Sequence, residues 1–171
     1  SLDFDLQKYA ISQFADSLTG ACVALNPNNG EVLAFASIPA YDANLFTGVL
    51  HPEDWKNLIQ DSLKPLLNRV IKGEYPPGST YKLLIAGAGL EEGIITAASK
   101  YSGCSGGYRF GNRVFHCWDL GGHGALDLVD AIIQSCDIYF YQLGRDLGFE
   151  KFAEYSRKCG FGNLTGIDIP G

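Results

Sequence analysis

The most constraining feature of this sequence is the run from Tyr75 to Lys82, which reads Tyr-Pro-Pro-Gly-Ser-Thr-Tyr-Lys. Proline cannot continue a helix and glycine permits unusual backbone dihedrals, so Pro-Pro-Gly predicts a stiff turn. The pattern of residues 79–90 predicts a helix that follows this turn and stops at Gly93. Ser79 is therefore expected at the start of the helix, among backbone N–H groups that have no helical partner.

The spacing of Ser79 and Lys82 gives this helix a chemical interpretation. Successive helical residues are about 100° apart, so Lys82 returns to within about 60° of Ser79, one turn along the same face. A serine hydroxyl becomes a good nucleophile when a base takes its proton, and a lysine held close and partly shielded from water can be that base. The alternative for an isolated Ser-x-x-Lys is a helix-capping serine with a solvated lysine.

The sequence around the serine favours the nucleophile, because it resembles a known motif. Residues 75–82 resemble the Ser-x-x-Lys motif of penicillin-binding proteins. Three earlier stretches are similar to the sequence that leads to the nucleophile in class B penicillin-binding proteins of the cell-elongation type. They are GACVALNPNNGEVLAFAS at 20–37, YDANLF at 41–46 and PLLNRV at 65–70. The resemblance covers essentially the whole chain.

The resemblance implies that Ser135-Cys136-Asp137 is the second motif of the family, which is commonly Ser-x-Asn. In the family this serine helps to pass a proton to the leaving amine, and we assign that role to Ser135. An ionised Asp only accepts hydrogen bonds. Asp137 could therefore pair with Lys82 and hold the lysine charged, or accept bonds from backbone or substrate N–H groups. The non-catalytic alternative is a turn between helices with local capping.

The third motif of the family, Lys-[Ser/Thr]-Gly, is not found in the 171 residues. Ile71-Lys72-Gly73 lies too early and lacks the hydroxyl. We therefore expect residues 1–171 to be the N-terminal part of a single transpeptidase domain, without the C-terminal strands that carry this motif. The backbone N–H of Ser79 would supply one oxyanion donor and the third motif the other. Since losing one such donor costs on the order of 10²–10³ in rate, this chain alone is expected to be inactive.

Hydrophobic patterning predicts an α+β fold, mainly helical with one β-hairpin. This agrees with the resemblance, which implies part of the fold shared by penicillin-binding transpeptidases and serine β-lactamases. Apolar runs at 21–25 and 32–36 flank Asn-Pro-Asn-Asn-Gly and predict the hairpin. The Gly-rich segment 101–124 predicts an ordered loop or short hairpin. Helical spacing predicts helices at 2–17, 51–60, 126–133, 138–147 and 149–158.

Three cysteines and a histidine form a candidate metal site: Cys104, Cys117, His123 and Cys136. Three thiolates and one imidazole are a common set of zinc ligands, although the spacing is not that of a zinc finger. A metal here would tie the Gly-rich loop to the second motif, because Cys136 is the middle residue of that motif. His116 is an alternative ligand. The other interpretations are a Cys104–Cys117 disulfide and buried free thiols.

Composition excludes several functions. Apolar residues make up 46% of the chain and charged residues 19%, which is typical of a globular protein. The net charge of −6 and the lack of basic clusters argue against nucleic-acid binding. No apolar run approaches the ~20 residues needed to span a bilayer. The resemblance implies that an N-terminal membrane anchor belongs to the parent protein, which would act at the periplasmic face of the bacterial inner membrane.

The function that the resemblance implies is a serine D-Ala-D-Ala transpeptidase, with no cofactor required for the chemistry and a possible structural zinc. It would act on peptidoglycan stem peptides, be acylated by β-lactam antibiotics and work with other cell-elongation proteins. Tyr81 could contact substrate, although core packing explains it equally well. The alternatives are a serine β-lactamase, a β-lactam-sensing domain and a non-catalytic, zinc-held scaffold fragment.

Overall fold

The computed structural model describes residues 2–15 and 18–169, and its contacts divide the chain into two compact units. Among the described residues, the first unit comprises those up to Tyr75 together with Ile169, and the second comprises Pro76–Asp168. The sequence predicts one domain, and the division falls directly before the Pro-Pro-Gly turn. All candidate site residues lie in the second unit. None of the helices in the described ranges is long and apolar enough to cross a membrane.

The first unit contains the predicted hairpin. Strands β1 (Gly20–Leu25) and β2 (Val32–Ile38) pair antiparallel. Helix α1 (Phe4–Ser12) packs against β2, and the Gln7 amide exchanges two hydrogen bonds with the backbone of Phe35, at 2.6 and 3.0 Å. This covers backbone groups that a two-stranded sheet leaves unpaired. Helix α1 is shorter than predicted, and the predicted end at Ser17 lies outside the described residues.

The rest of the first unit is made of short helices. The segment predicted as loop after β2 contains one 3₁₀ turn, Ala43–Phe46. The predicted helix at 51–60 is helix α2 (Pro52–Gln60), which places its proline in the first turn, where no helical N–H is required. A further single turn, α3 (Arg69–Lys72), begins where the side chain of Asn68 accepts a hydrogen bond from the Val70 N–H.

In the second unit, the Pro-Pro-Gly turn leads into a 3₁₀ turn at Gly78–Thr80 and then into helix α4 (Tyr81–Glu91). The α-helix thus begins two residues later than predicted, and Ser79 lies in the 3₁₀ turn. Side chains three apart eclipse each other in a 3₁₀ turn, which preserves the alignment expected for Ser79 and Lys82. The helix ends before Gly93, which has a φ of 68°.

Two further helices complete the core of the second unit. Helix α5 (Leu128–Ile133) precedes the Ser-Cys-Asp turn, and α6 (Asp137–Lys158) follows it. Residues 138–158 were predicted as two helices separated at Gly148, and the structure has a kink there, with φ 77° and ψ 160°. Helices α4 and α6 pack closely because Gly89 lacks a side chain: a Cβ at this position would lie 2.8 Å from Leu143.

The Gly-rich segment forms the second hairpin. Strands β3 (Gly107–Phe110) and β4 (Arg113–His116) pair antiparallel. Backbone hydrogen bonds between Cys104 and Gly124, at 2.7 and 2.9 Å, close the base of the loop that carries this hairpin. The predicted ordered loop is therefore a closed structure with both of its ends tied together.

Candidate active site

The fold brings Ser79, Lys82, Ser135 and Asp137 to one place. Ser79 and Lys82 come from the start of the α4 region, while Ser135 and Asp137 come from the turn between α5 and α6. Packing of α4 against both α5 and α6 brings the turn close to Ser79. The second hydroxyl predicted from the sequence thus lies beside the first, although they are far apart in the chain.

Lys82 is surrounded by three acceptors. Its Nζ lies 2.7 Å from the Ser135 carbonyl oxygen, 3.0 Å from Ser135 Oγ and 2.6 Å from Asp137 Oδ1. The side chain is 14% exposed. A lysine ammonium has three N–H donors, so each of them has a partner in this arrangement. Ser135 and Asp137 thus satisfy the full donor capacity of the Lys82 side chain.

The connection between Lys82 and Ser79 runs through Ser135. Ser135 Oγ donates a hydrogen bond of 2.9 Å to Ser79 Oγ and accepts one of 3.0 Å from Lys82. Ser79 is not among the hydrogen-bond partners of Lys82 in the described part of the chain. The sequence-based expectation placed Lys82 next to Ser79 directly, whereas the structure interposes a second hydroxyl.

Asp137 makes both of the contacts that the sequence left as alternatives. Its Oδ1 pairs with Lys82, and its Oδ2 accepts a 3.0 Å hydrogen bond from the backbone N–H of Trp118. The Trp118 indole also donates to the Gln134 carbonyl oxygen at 2.9 Å. Sequence reasoning missed Trp118, and its only signal was its position next to Cys117. The loop after β4 thus fixes the orientation of the Asp137 carboxylate.

The turn that carries Ser135 is strained. Ser135 has a φ of 48°, in the left-handed region that non-glycine residues rarely adopt. Such conformations cost about 1–3 kcal/mol and persist where surrounding contacts impose them. Here the side chain and the carbonyl of Ser135 both bind Lys82, which gives the turn two anchors.

A cleft of about 270 Å³ opens over these residues. Ser79, Lys82 and Asp137 line it together with aromatic side chains, among them Tyr81. The Tyr81 hydroxyl is hydrogen-bonded to Ser156, and its ring packs 5.1 Å from that of Phe152. Tyr81 therefore combines the two roles considered for it, since it packs in the core and also borders the cleft.

The candidate metal ligands also converge. One ligand atom from each of Cys104, Cys117, His123 and Cys136 lies within 4.8 Å of the others, and the three cysteines are buried. The thiols are free rather than joined in a disulfide. His116, the alternative ligand, is exposed on β4 and is not part of this group. The long-range pairing of Cys104 with Gly124 is what closes the cluster.

The surroundings of the thiols affect them in opposite directions. Burial disfavours the Cys104 thiolate, but hydrogen bonds from the His123 and Gly106 backbones and from the His123 side chain outweigh it and lower the pKa of Cys104 to about 7. Burial dominates at Cys136 and raises the pKa of that thiol to about 12. The Cys104 thiol therefore ionises more readily than a free cysteine, whereas the Cys136 thiol would need a cation beside it to ionise.

The donor set fits a tetrahedral metal ion. In a tetrahedral zinc site with ordinary bond lengths, sulfur and nitrogen ligands are roughly 3.5 Å apart. The distance from Cys117 Sγ to His123 Nδ1 is 3.6 Å. The residues present are therefore compatible with zinc.

Comparison with known proteins identifies the class to which this fold and site belong. Residues 20–171 match the family described as the penicillin binding protein transpeptidase domain. The chain belongs to this family, as the motifs at Ser79 and Ser135 predicted.

The chain is similar to particular members at substantial identity. It is 40% identical to the peptidoglycan D,D-transpeptidase MrdA of Acinetobacter baumannii, over 99% of this chain and 25% of that protein. A structure of Helicobacter pylori penicillin-binding protein PBP2 in complex with MreC superimposes with a TM-score of 0.93 at 37% identity, covering 100% of this chain and 32% of the other. The ceftriaxone acyl-enzyme complex of M. tuberculosis penicillin-binding protein A superimposes with a TM-score of 0.78 at 29% identity. That match covers 85% of this chain and 34% of the other. The chain thus spans about a quarter of the length of the MrdA protein it matches.

Proposed function

We propose that this chain is part of a D,D-transpeptidase that cross-links peptidoglycan stem peptides through an acyl-enzyme on Ser79. The observation that carries the proposal is the continuous hydrogen-bonded path from Ser79 through Ser135 to Lys82. The similarity to a protein named as a peptidoglycan D,D-transpeptidase supports it. This path supports Ser79 as the nucleophile and Ser135 as the first acceptor of its proton.

The first step is attack of Ser79 Oγ on the carbonyl of the penultimate D-Ala. In the structure Lys82 donates to Ser135 and Ser135 donates to Ser79, so both hydrogen bonds reverse before the transfer. The proton of Ser79 then passes to Ser135, which gives its own proton to Lys82. Because Lys82 is already an ammonium, it must release a proton as it accepts one, and Asp137 Oδ1 lies 2.6 Å away to take it. The protons then return from Asp137 through Lys82 to Ser135, and Ser135 protonates the nitrogen of the departing D-Ala as its C–N bond breaks. An amine of a neighbouring stem then attacks the acyl-enzyme, which restores Ser79 and forms the cross-link.

Charge on the tetrahedral intermediate needs hydrogen-bond donors. The backbone N–H of Ser79 is one, and the resemblance to the family places the second on the Lys-[Ser/Thr]-Gly motif. A β-lactam would acylate the same serine by imitating the D-Ala-D-Ala end. The M. tuberculosis relative described as a ceftriaxone acyl-enzyme supports this part of the proposal.

The test is covalent labelling by fluorescent penicillin in a protein where this chain is followed by a segment carrying Lys-[Ser/Thr]-Gly. We expect stoichiometric labelling that S79A abolishes and that the control T80S retains. Labelling that survives S79A would contradict the assignment of the nucleophile. Slow deacylation separates a transpeptidase from a β-lactamase, and release of D-Ala from stem peptides separates it from a drug sensor. A non-catalytic scaffold would show neither covalent labelling by penicillin nor release of D-Ala.

A structural zinc ion is the second part of the proposal. Cys104, Cys117, His123 and Cys136 would hold it, and it would take no part in the reaction. Its role would be to order the loop, since Cys117 precedes Trp118 and Cys136 lies between Ser135 and Asp137. Elemental analysis of the purified protein should find one equivalent of zinc, and its absence would leave free thiols as the explanation.

Location and partners are inferred from the relatives. We place the catalytic unit at the periplasmic face of the inner membrane, held there by an anchor in the parent protein, with cell-elongation proteins as partners. The similar Helicobacter pylori protein is described in a complex with MreC. Co-purification with the MreC of the same organism tests this inference, and failure to co-purify would contradict the partner. Nucleic acid is not expected as a partner, given the net charge of −6.

A further inference from the structure

A second cleft lies beside the catalytic one, with a volume of about 340 Å³. Its walls are mainly aromatic, and two of the rings are unusually open to solvent for their size: Phe110 is 57% exposed and Phe149 is 83% exposed. Concave apolar sites with a few polar groups are typical of ligand binding. The mechanism described above uses none of the residues that are specific to this cleft.

The β3–β4 hairpin builds one wall of this aromatic cleft. Side chains alternate between the faces of a strand, so Tyr108 and Phe110 share one face of β3. The register pairs Tyr108 with Phe115 and Phe110 with Arg113, which puts all four side chains on that face. Helix α6 provides the other wall, and its kink at Gly148 sets Phe149 at the rim.

One cationic side chain, that of Arg145, lines the aromatic cleft, and it forms a salt bridge with Asp146 at 2.7 Å. The Arg145 guanidinium also binds the Tyr108 hydroxyl at 2.9 Å and, through Nε, Asp146 at 2.8 Å. A guanidinium has five N–H donors, more than these contacts use, and the side chain is 46% exposed. Arg113 lies over the Phe115 ring, 5.7 Å from its centroid. The cleft therefore suits a ligand with an aliphatic body and a carboxylate.

The two clefts share a wall. Tyr141 lines both the cleft over Ser79 and the aromatic cleft, and its ring is 5.7 Å from that of Phe115. A peptide whose end reacts at Ser79 extends by about 3.3–3.6 Å for each further residue. A substrate that runs from Ser79 toward Tyr141 would bring the residues immediately upstream of D-Ala-D-Ala to the aromatic cleft.

We infer that the aromatic cleft is a subsite for the stem peptide. It takes an upstream residue that carries a free carboxylate on an aliphatic chain, with the chain against Phe110 and Phe149 and the carboxylate on Arg145. This inference rests on the proposed transpeptidase function and adds a determinant of substrate choice to it. A charged hydrogen bond of this kind is worth about a factor of ten or more.

The test compares two reactions of one protein, in which this chain is followed by a segment carrying Lys-[Ser/Thr]-Gly. One is acylation by benzylpenicillin, which is small enough to occupy only the cleft over Ser79. The other is D-Ala release from a peptide ending in D-Ala-D-Ala with an upstream free carboxylate, or with that carboxylate amidated. The variants are R145Q and, as a matched loss of one charge on the opposite face of β3, R109Q.

We expect R145Q to lower the ratio of peptide to penicillin kcat/KM about tenfold for the carboxylate peptide. For the amidated peptide, R145Q should change the ratio of peptide to penicillin kcat/KM by less than threefold. R109Q should leave this ratio unchanged for both peptides. An equal response of both peptides to R145Q, or no response, would overturn the subsite while leaving the transpeptidase intact. If benzylpenicillin does not acylate Ser79 in the unsubstituted protein, the proposed function itself fails and the subsite falls with it.

Discussion

Ser135 Oγ donates a 2.9 Å hydrogen bond to Ser79 Oγ, although 56 residues separate the two serines in the chain. The contact joins the start of the α4 region to the turn between α5 and α6. It also places a hydroxyl between Ser79 and Lys82, which in the proposed mechanism relays the proton of Ser79. The predictions below begin with this contact.

Replacing Ser135 should separate activity from stability. In a protein where this chain is followed by a segment carrying Lys-[Ser/Thr]-Gly, we expect S135A and S135G to slow acylation of Ser79 by benzylpenicillin by about 10²–10⁴, because proton transfer by a positioned group contributes that much. S135G should also relieve the strain of a φ of 48° and leave the free energy of unfolding unchanged or about 1 kcal/mol higher. Stopped-flow acylation and urea unfolding measure the two effects. Unimpaired acylation in both variants would contradict the relay.

Replacing Asp137 should weaken the junction between the loop and the helices. Its two oxygens accept from two donors, Lys82 and the Trp118 N–H, whereas an asparagine has one acceptor and would turn an NH₂ group toward the other donor. We expect D137N to lower the free energy of unfolding by about 1–3 kcal/mol.

The measurement for D137N is urea unfolding followed by Trp118 fluorescence in a W55F background, so that the signal comes from the second unit. The matched control is D130N, since Asp130 is an exposed residue in the first turn of α5. It should change stability by less than about 0.5 kcal/mol. Equal effects of D137N and D130N would show that the paired carboxylate is unimportant for stability.

Removing one metal ligand should remove the metal. We expect C117S to abolish stoichiometric zinc and to lower Tm, because a metal that binds only the folded chain stabilises it. The control is C159S, since Cys159 is exposed and outside the cluster, and it should keep its zinc. Elemental analysis and thermal melting with and without a chelator provide the readouts. Retention of zinc by C117S would argue against this ligand set.

The kink in α6 should tolerate only glycine. Gly148 has a φ of 77°, so G148A should cost about 1–3 kcal/mol of stability. Gly87, by contrast, lies inside α4 with no atom within 4 Å of a Cβ placed on it, and G87A should stabilise the protein by about 0.5–1 kcal/mol. Urea unfolding of both variants tests the pair, and a neutral G148A would show that the helix can straighten.

Several local features could be predicted from the sequence because they depend on neighbouring residues. The Pro-Pro-Gly turn, the alignment of Ser79 with Lys82 and the break at Gly148 follow from dihedral preferences and helical periodicity. The first hairpin follows from two apolar runs around an Asn- and Gly-rich turn. The α4 helix begins two residues late because a 3₁₀ turn precedes it, and no local signal distinguished the two kinds of turn.

By itself, the sequence determined the helix that follows Ser79, the place of the second motif and a set of four candidate metal ligands. Only the tertiary structure decided that Ser135 stands between Ser79 and Lys82, that Asp137 accepts from Lys82 and Trp118 together, and that Tyr141 lines two clefts. The physical reason is the distance along the sequence over which each kind of interaction acts. Helix periodicity acts over three or four residues, whereas these contacts join residues brought together by the packing of α4 against α6 and the closure of the loop between Cys104 and Gly124.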